Sequence, residues 1–71
     1  MDDKDTINKV LSNLKPRERH IIEHRFGLNN KEVKTLESIG ETFQITRERV
    51  RQIEFEAMKK LRFALTRTYN V

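Results

Sequence analysis

Apolar side chains recur at three- and four-residue intervals along the first part of the chain, as Ile7, Val10, Leu11 and Leu14 and then as Ile21, Ile22 and Phe26. That interval lines one face of an α-helix. Acidic residues open the first run, where they suit the positive end of a helix, and the spacing predicts a short amphipathic helix from Asp2 to Asn13. Pro16 breaks the pattern and is well placed to begin a second helix, with Gly27 as its C-cap. The stretch from Leu28 to Lys34 has no periodicity and reads as a polar loop with Leu28 and Val33 tucked inward.

The pattern then resumes in two closely spaced runs. Leu36, Ile39 and Phe43 give a third helix an apolar face, with Thr35 as its cap. Val50, Ile53, Ala57 and Leu61 give a fourth, capped by Thr46 and running from Arg47 to Thr66. Between them, Gln44 and Ile45 form a turn in which Ile45 plugs the space between the helices. Gly40 sits at the crossing, where a missing β-carbon permits close approach at a cost of roughly 1 kcal/mol in helix propensity. Many such turns carry Gly where Gln44 stands; an amide side chain tolerates several turn geometries. The expected fold is all-α, a small four-helix domain with a C-terminal helix-turn-helix, spanning residues 1–71 as one unit. There is no strand pattern and no repeat, and the final RTYNV is expected to fray.

Composition narrows the function. A chain of 71 residues has a thin core. The absence of cysteine excludes disulfides and cysteine-ligated zinc and fits a reducing, cytoplasmic setting. No apolar run approaches the roughly 20 residues of a membrane span, and no signal-peptide core follows Met1. The net charge is +4, and it falls on residues 45–71, the rest of the chain balancing to zero. That concentration fits a nucleic-acid partner, and equally a solvated basic face.

The chemistry is concentrated in TRERVRQIE, Thr46 to Glu54. With Val50 and Ile53 facing inward, Glu48, Gln52, Phe55 and Lys59 fall near the opposite side, flanked by Arg47 and Arg51. In a major groove Arg47 can bond to guanine, Glu48 can accept from cytosine and Gln52 can pair with adenine. Arg51 is close enough for base or phosphate contact, and Arg49 points toward a phosphate or a protein partner. Glu48 has a second reading, since an acid at the second helical position also stabilises the helix dipole. Arg17, Arg25, Leu36 and Glu37 can position the domain on the DNA backbone. Phe55 is unusual on such a face: it can touch a thymine methyl or a sugar, be covered by a partner, or pack against the tail. His20 and His24 lie four apart, but two ligands with no third do not make a metal site. Ser12 and Ser38 lack a base pattern, and there is no phosphate-binding glycine loop. No enzyme, cofactor or metal is expected.

Together LKPRERHIIEHRFGL, TLESIGETFQITRERVRQIE and AMKKLR resemble region 4 of bacterial primary-type RNA polymerase sigma factors, over roughly residues 7–62. The resemblance implies recognition of the promoter minus-35 element in the major groove and docking on the flap of the polymerase β subunit. By position it implies base contact for Arg47, Glu48 and Gln52, with Arg51 among them, and backbone contact for Arg17, Arg25, Leu36, Glu37 and Thr46. Arg49, Lys59, Lys60 and Arg62 keep the basic character that family members present to transcription activators. Glu56 stands where a basic residue is usual and Phe55 where a small one is. FALTRTYNV replaces a break containing His-Pro, so the last helix can run on and present Phe63, Leu65 and Tyr69 as a lid, a flap-docking surface or a self-association patch. The chain starts just before region 4, without segments that melt the minus-10 element or bind the polymerase clamp. It is expected to be an excised domain with an added Met rather than a stand-alone regulator, and not to initiate transcription alone. A protein-interaction module, binding the flap, an anti-sigma factor or an activator with little DNA readout, is the alternative.

Overall fold

The computed structural model describes residues 3–69, with side chains described for residues 5–66. Four helices follow one another: α1 (Asp3–Leu11), α2 (Pro16–Phe26), α3 (Leu36–Phe43) and α4 (Arg47–Tyr69), and no strand is present among the described residues. This is the all-α, helix-turn-helix architecture that the apolar spacing predicts.

Each boundary has a local cause. Pro16 begins α2, and because Lys15 offers no side-chain acceptor, the reciprocal bond comes from Glu18, which accepts the Lys15 N–H at 3.0 Å. Gly27 closes α2 in the left-handed region at φ 64°. Thr35 and Thr46 cap α3 and α4 through their hydroxyls, which accept from the Ser38 and Arg49 N–H groups at 3.1 and 3.0 Å. α4 continues to Tyr69, past the expected end at Thr66, because no proline or glycine intervenes. Asn70 and Val71, the last of the residues expected to fray, lie outside the described residues.

Two buried clusters share one central helix. Val10, Leu11, Leu14, Ile22, Ala57 and Leu61 join α1 and α2 to the C-terminal half of α4. Ile21, Ile39, Val50 and Ile53 join α2 and α3 to its N-terminal half, with Leu36, Phe43 and Ile45 packed around them. The adjacent Ile21 and Ile22, about 100° apart on α2, therefore serve different clusters. Every member of the stripe expected on α4 is buried.

The loop departs from expectation. Leu28 packs inward, but Val33 is 65% exposed, and Leu28–Asn30 form a 3-10 turn with Asn29 and Asn30 at positive φ. Asparagine tolerates that region better than most residues. Asn29 uses it to donate to Glu23 and Asn8 at 2.7 and 2.9 Å, and Arg19 donates to the same two acceptors. Val33 stays outside because the Lys34 N–H donates to the His24 carbonyl at 2.8 Å and His24 Nδ1–H to the Glu32 carbonyl at 2.7 Å, which straps the loop along α2 by its backbone. Phe26 is also exposed, being on the last turn of α2 beyond the reach of either cluster.

Gly40 meets α4 at the turn itself. A β-carbon there would stand 2.7 Å from the Ile45 carbonyl oxygen and 3.5 Å from Val50 Cγ2. The first obstacle is backbone and cannot swing aside. Gly40→Ala is expected to lower stability by about 1 kcal/mol, overpacking strain exceeding the gain in helix propensity; chemical denaturation checks this, and an unchanged midpoint would contradict it.

Two carboxylates and a histidine make the fold acid-sensitive. Burial would raise Glu18 and Glu23, but hydrogen bonds outweigh it: Lys60 and the Lys15 N–H hold Glu18, and Asn29 and Arg19 hold Glu23, below the usual carboxylate range. His20 is also lowered, by burial first and then by the neighbouring His24 and Lys34, against a smaller opposing effect of Glu23. Its ring packs edge-on to Phe43 at 4.9 Å, and its Nε2 is buried without a hydrogen-bond partner. All three groups bind a proton more weakly folded than unfolded, so their contribution is full above the unfolded pKa and lost as pH falls through the folded one. Denaturation midpoints are expected to fall modestly below about pH 6.5 and more steeply below about pH 4.5. His20→Leu is expected to remove the first fall and leave the second.

Candidate nucleic-acid interface

The first two turns of α4 rest on Val50 and Ile53, both buried, while Arg47, Glu48, Arg49, Arg51 and Gln52 are all exposed. The alternation follows from helical geometry: what turns Val50 and Ile53 into the cluster with Ile39 turns the residues between them outward. Thr46 holds the start of that face in register through its bond to Arg49.

The polar residues are already arranged in pairs. Arg51 donates to Glu48 through both Nε, at 3.0 Å, and Nη2, and Arg49 Nη1 donates to Gln52 Oε1 at 3.3 Å. Arg51, and less strongly Arg47, holds Glu48 below the usual carboxylate range, and Glu48 raises Arg51 in return. This pairing explains how a carboxylate sits on a face suited to phosphate: its charge is offset before any ligand arrives.

Of the residues expected to meet a DNA backbone, Thr46 is the exposed cap of α4 and the other four are divided between two clefts. Arg25, Thr35, Leu36, Glu37 and Arg47 line one of about 260 Å³, in which α2, α3 and the start of α4 converge. Arg17 lies in another, of about 170 Å³, with Lys15, Glu18, Arg49, Ile53 and Glu56. The structure thus brings Arg25, Leu36 and Glu37 to Arg47, and Arg17 to Arg49 instead. Arg25 is held by Glu54, whose Oε2 accepts from its Nε at 2.9 Å. Sequence reasoning overlooked Glu54, although its place beside Ile53, at the edge of the buried stripe, was a usable signal.

The later turns of α4 are less uniform than their charges suggested. Arg49, Lys59, Lys60 and Arg62 are all exposed, but Lys60 is committed to Glu18, its Nζ lying 2.8 Å from Oε2. Lys59 lies 3.8 Å from Glu56 and its Nζ sits 5.2 Å from the centre of the Phe55 ring. Phe55 is not packed against the tail, being 61% exposed; Phe63 and Leu65 are exposed as well, and the Tyr69 side chain lies outside the described residues. At the far end, Ile7, Val10, Leu11, Leu28, Leu61 and Leu65 line an apolar groove of about 160 Å³. His20 and His24 lie 4.3 Å apart between ring centres with their planes tilted by 41°, and no group of three metal-ligating side chains occurs among the described residues. No described helix is long and apolar enough to cross a membrane.

A capped, arginine-rich helix packed across a shorter one through a tight turn defines a helix-turn-helix domain of the DNA-binding type. The chain matches the family Sigma-70, region 4, over residues 10–62, and it belongs to that family. It is 51% identical over 59 residues to RNA polymerase sigma factor SigA of Nostoc sp. (strain PCC 7120 / SAG 25.82 / UTEX 2576), covering 83% of this chain and 15% of that protein. The SigA proteins of Clostridium acetobutylicum and Lactococcus lactis subsp. cremoris are 48% and 44% identical over the same length, each with 83% of this chain and 16% of the relative covered. The chain therefore spans about a sixth of the length of the curated relatives it matches.

Proposed function

We infer that residues 1–71 act as a single sigma region 4 domain that reads the promoter minus-35 element in the major groove and docks on the flap of the RNA polymerase β subunit during transcription initiation. Binding supplies placement and specificity, with no chemistry of its own. The observation that carries the reading is the row of Arg47, Glu48, Arg51 and Gln52, exposed on the first two turns of a helix whose opposite face is buried. Those side chains match the hydrogen-bonding patterns of base edges in the major groove. Backbone contact by Arg17, Arg25, Leu36, Glu37 and Thr46 would fix the register without reading sequence. Family membership and the SigA relatives support the same assignment.

A second reading has its own support. The apolar groove between α1 and the end of α4, with Phe63 and Leu65 exposed nearby, suits a protein partner such as the flap, an anti-sigma factor or an activator, and Arg49, Lys59 and Arg62 add basic charge for an acidic one, Lys60 being already paired with Glu18. The two readings separate in one experiment. Fluorescence anisotropy on a duplex with a minus-35-like hexamer and on a scrambled duplex, at two salt concentrations, is expected to give at least a tenfold preference that persists at the higher salt. Equal, salt-sensitive binding to both would leave only phosphate attraction and favour the protein-interaction reading.

A further inference from the structure

Phe55 is the one large apolar side chain on the outward line of α4 between the base-reading residues and Arg62, and neither buried cluster includes it. Glu48, Arg51, Gln52 and Phe55 stand at positions i, i+3, i+4 and i+7, the spacing by which recognition helices in the major groove present successive side chains to base edges. Seven residues bring the helix back to within about 20° of its starting direction. Phe55 thus lies on the same line as Glu48, advanced by roughly 10 Å, or about three base-pair steps at 3.4 Å.

Lys59 stands over the ring, with its Nζ 5.2 Å from the centroid. That contact favours one placement of the phenyl group along the helix and keeps a cation beside it. The ring remains 61% exposed, which leaves most of its surface for a ligand. A phenyl group offers no hydrogen bond to a base edge. The apolar feature of the major groove is the C5-methyl of thymine.

We propose that Phe55 is a specificity-determining residue that packs on one thymine methyl at the end of the site read by α4. The assignment rests on the major-groove reading above and adds a base position to it. Covering one methyl-sized group is worth about fourfold in affinity, the equivalent of ~0.8 kcal/mol.

Replacing each thymine of the hexamer duplex in turn by uracil removes only the methyl, and anisotropy titrations of the 71-residue chain read the result. The wild-type chain is expected to lose about fourfold at one thymine position and Phe55→Ala to lose nothing there, so that the variant is about fourfold weaker than wild type on the thymine duplex and equal to it on the uracil duplex. As an exposed residue, Phe55 can be truncated without disturbing either cluster, and circular dichroism of the variant verifies that. If Phe55→Ala binds the thymine duplex as tightly as wild type, or is weakened equally on both duplexes, the methyl contact is wrong, and undiminished DNA binding would mark Phe55 as a protein-facing residue. If the wild-type chain does not distinguish the hexamer from the scrambled duplex, the promoter reading fails and the Phe55 assignment falls with it.

Discussion

Ile39→Ala is expected to destabilise the protein by about 2–5 kcal/mol. Ile39 is fully buried where α2, α3 and α4 meet, against Ile21, Val50 and Ile53. The truncation removes its transfer free energy and leaves a cavity, because the backbone contact between Gly40 and Ile45 limits how far α3 can settle onto α4. A domain of this size has a total stability of about 4–11 kcal/mol, so the variant gives up a large share of it. Urea denaturation followed by helical circular dichroism is expected to show a lower midpoint at an unchanged slope. Val33→Ala, at an exposed position, is the control and is expected to stay within about 0.5 kcal/mol of wild type. A similar small loss for Ile39→Ala would mean that α3 is not anchored through this cluster.

The second large effect is on binding rather than folding. Gln52→Ala is expected to cost about 1–3 kcal/mol on a duplex carrying the matched hexamer and little on random DNA. Gln52 is exposed, and its described hydrogen bond is accepted from Arg49 across one turn of the same helix, so its loss leaves the core intact. Arg17→Ala supplies the contrast: it is expected to weaken binding to all sequences alike and to flatten the salt dependence. Arg25→Ala is less informative, because it also leaves Glu54 without its ion pair. Equal losses on matched and random DNA for Gln52→Ala would remove it from the base-reading set.

Gln44 illustrates where reading the chain reached its limit. The turn was legible from Gly40, Ile45 and the two apolar runs, but Gln44 adopts a left-handed conformation, φ 56° and ψ 45°, that its residue type does not announce. Its N–H bonds to the carbonyls of Gly40 and Glu41 and so closes α3. Non-glycine residues pay roughly 1–2 kcal/mol there, and the packing of α3 on α4 outweighs that cost. The 3-10 turn at Leu28–Asn30 escaped notice for a related reason: two consecutive asparagines signal a turn, but its form depends on Glu23 and Asn8, neither adjacent to it.

The candidate site divides along the same line. Arg47, Glu48, Arg51 and Gln52 could be assigned to an outward face because one helix determines its own sides: burying Val50, Ile53, Ala57 and Leu61 leaves no other direction for them. Periodicity, caps and turn residues act over a few positions, so the sequence by itself determined the four helices, the helix-turn-helix and the face that α4 presents. Only the tertiary structure decided that Ile21 and Ile22 serve different clusters, that Glu54 restrains Arg25, that Lys60 is held by Glu18 across 42 positions, and that Phe55 and Val33 stay outside. These depend on how helices distant in sequence cross and on which charges the crossing brings together, and no local spacing encodes either.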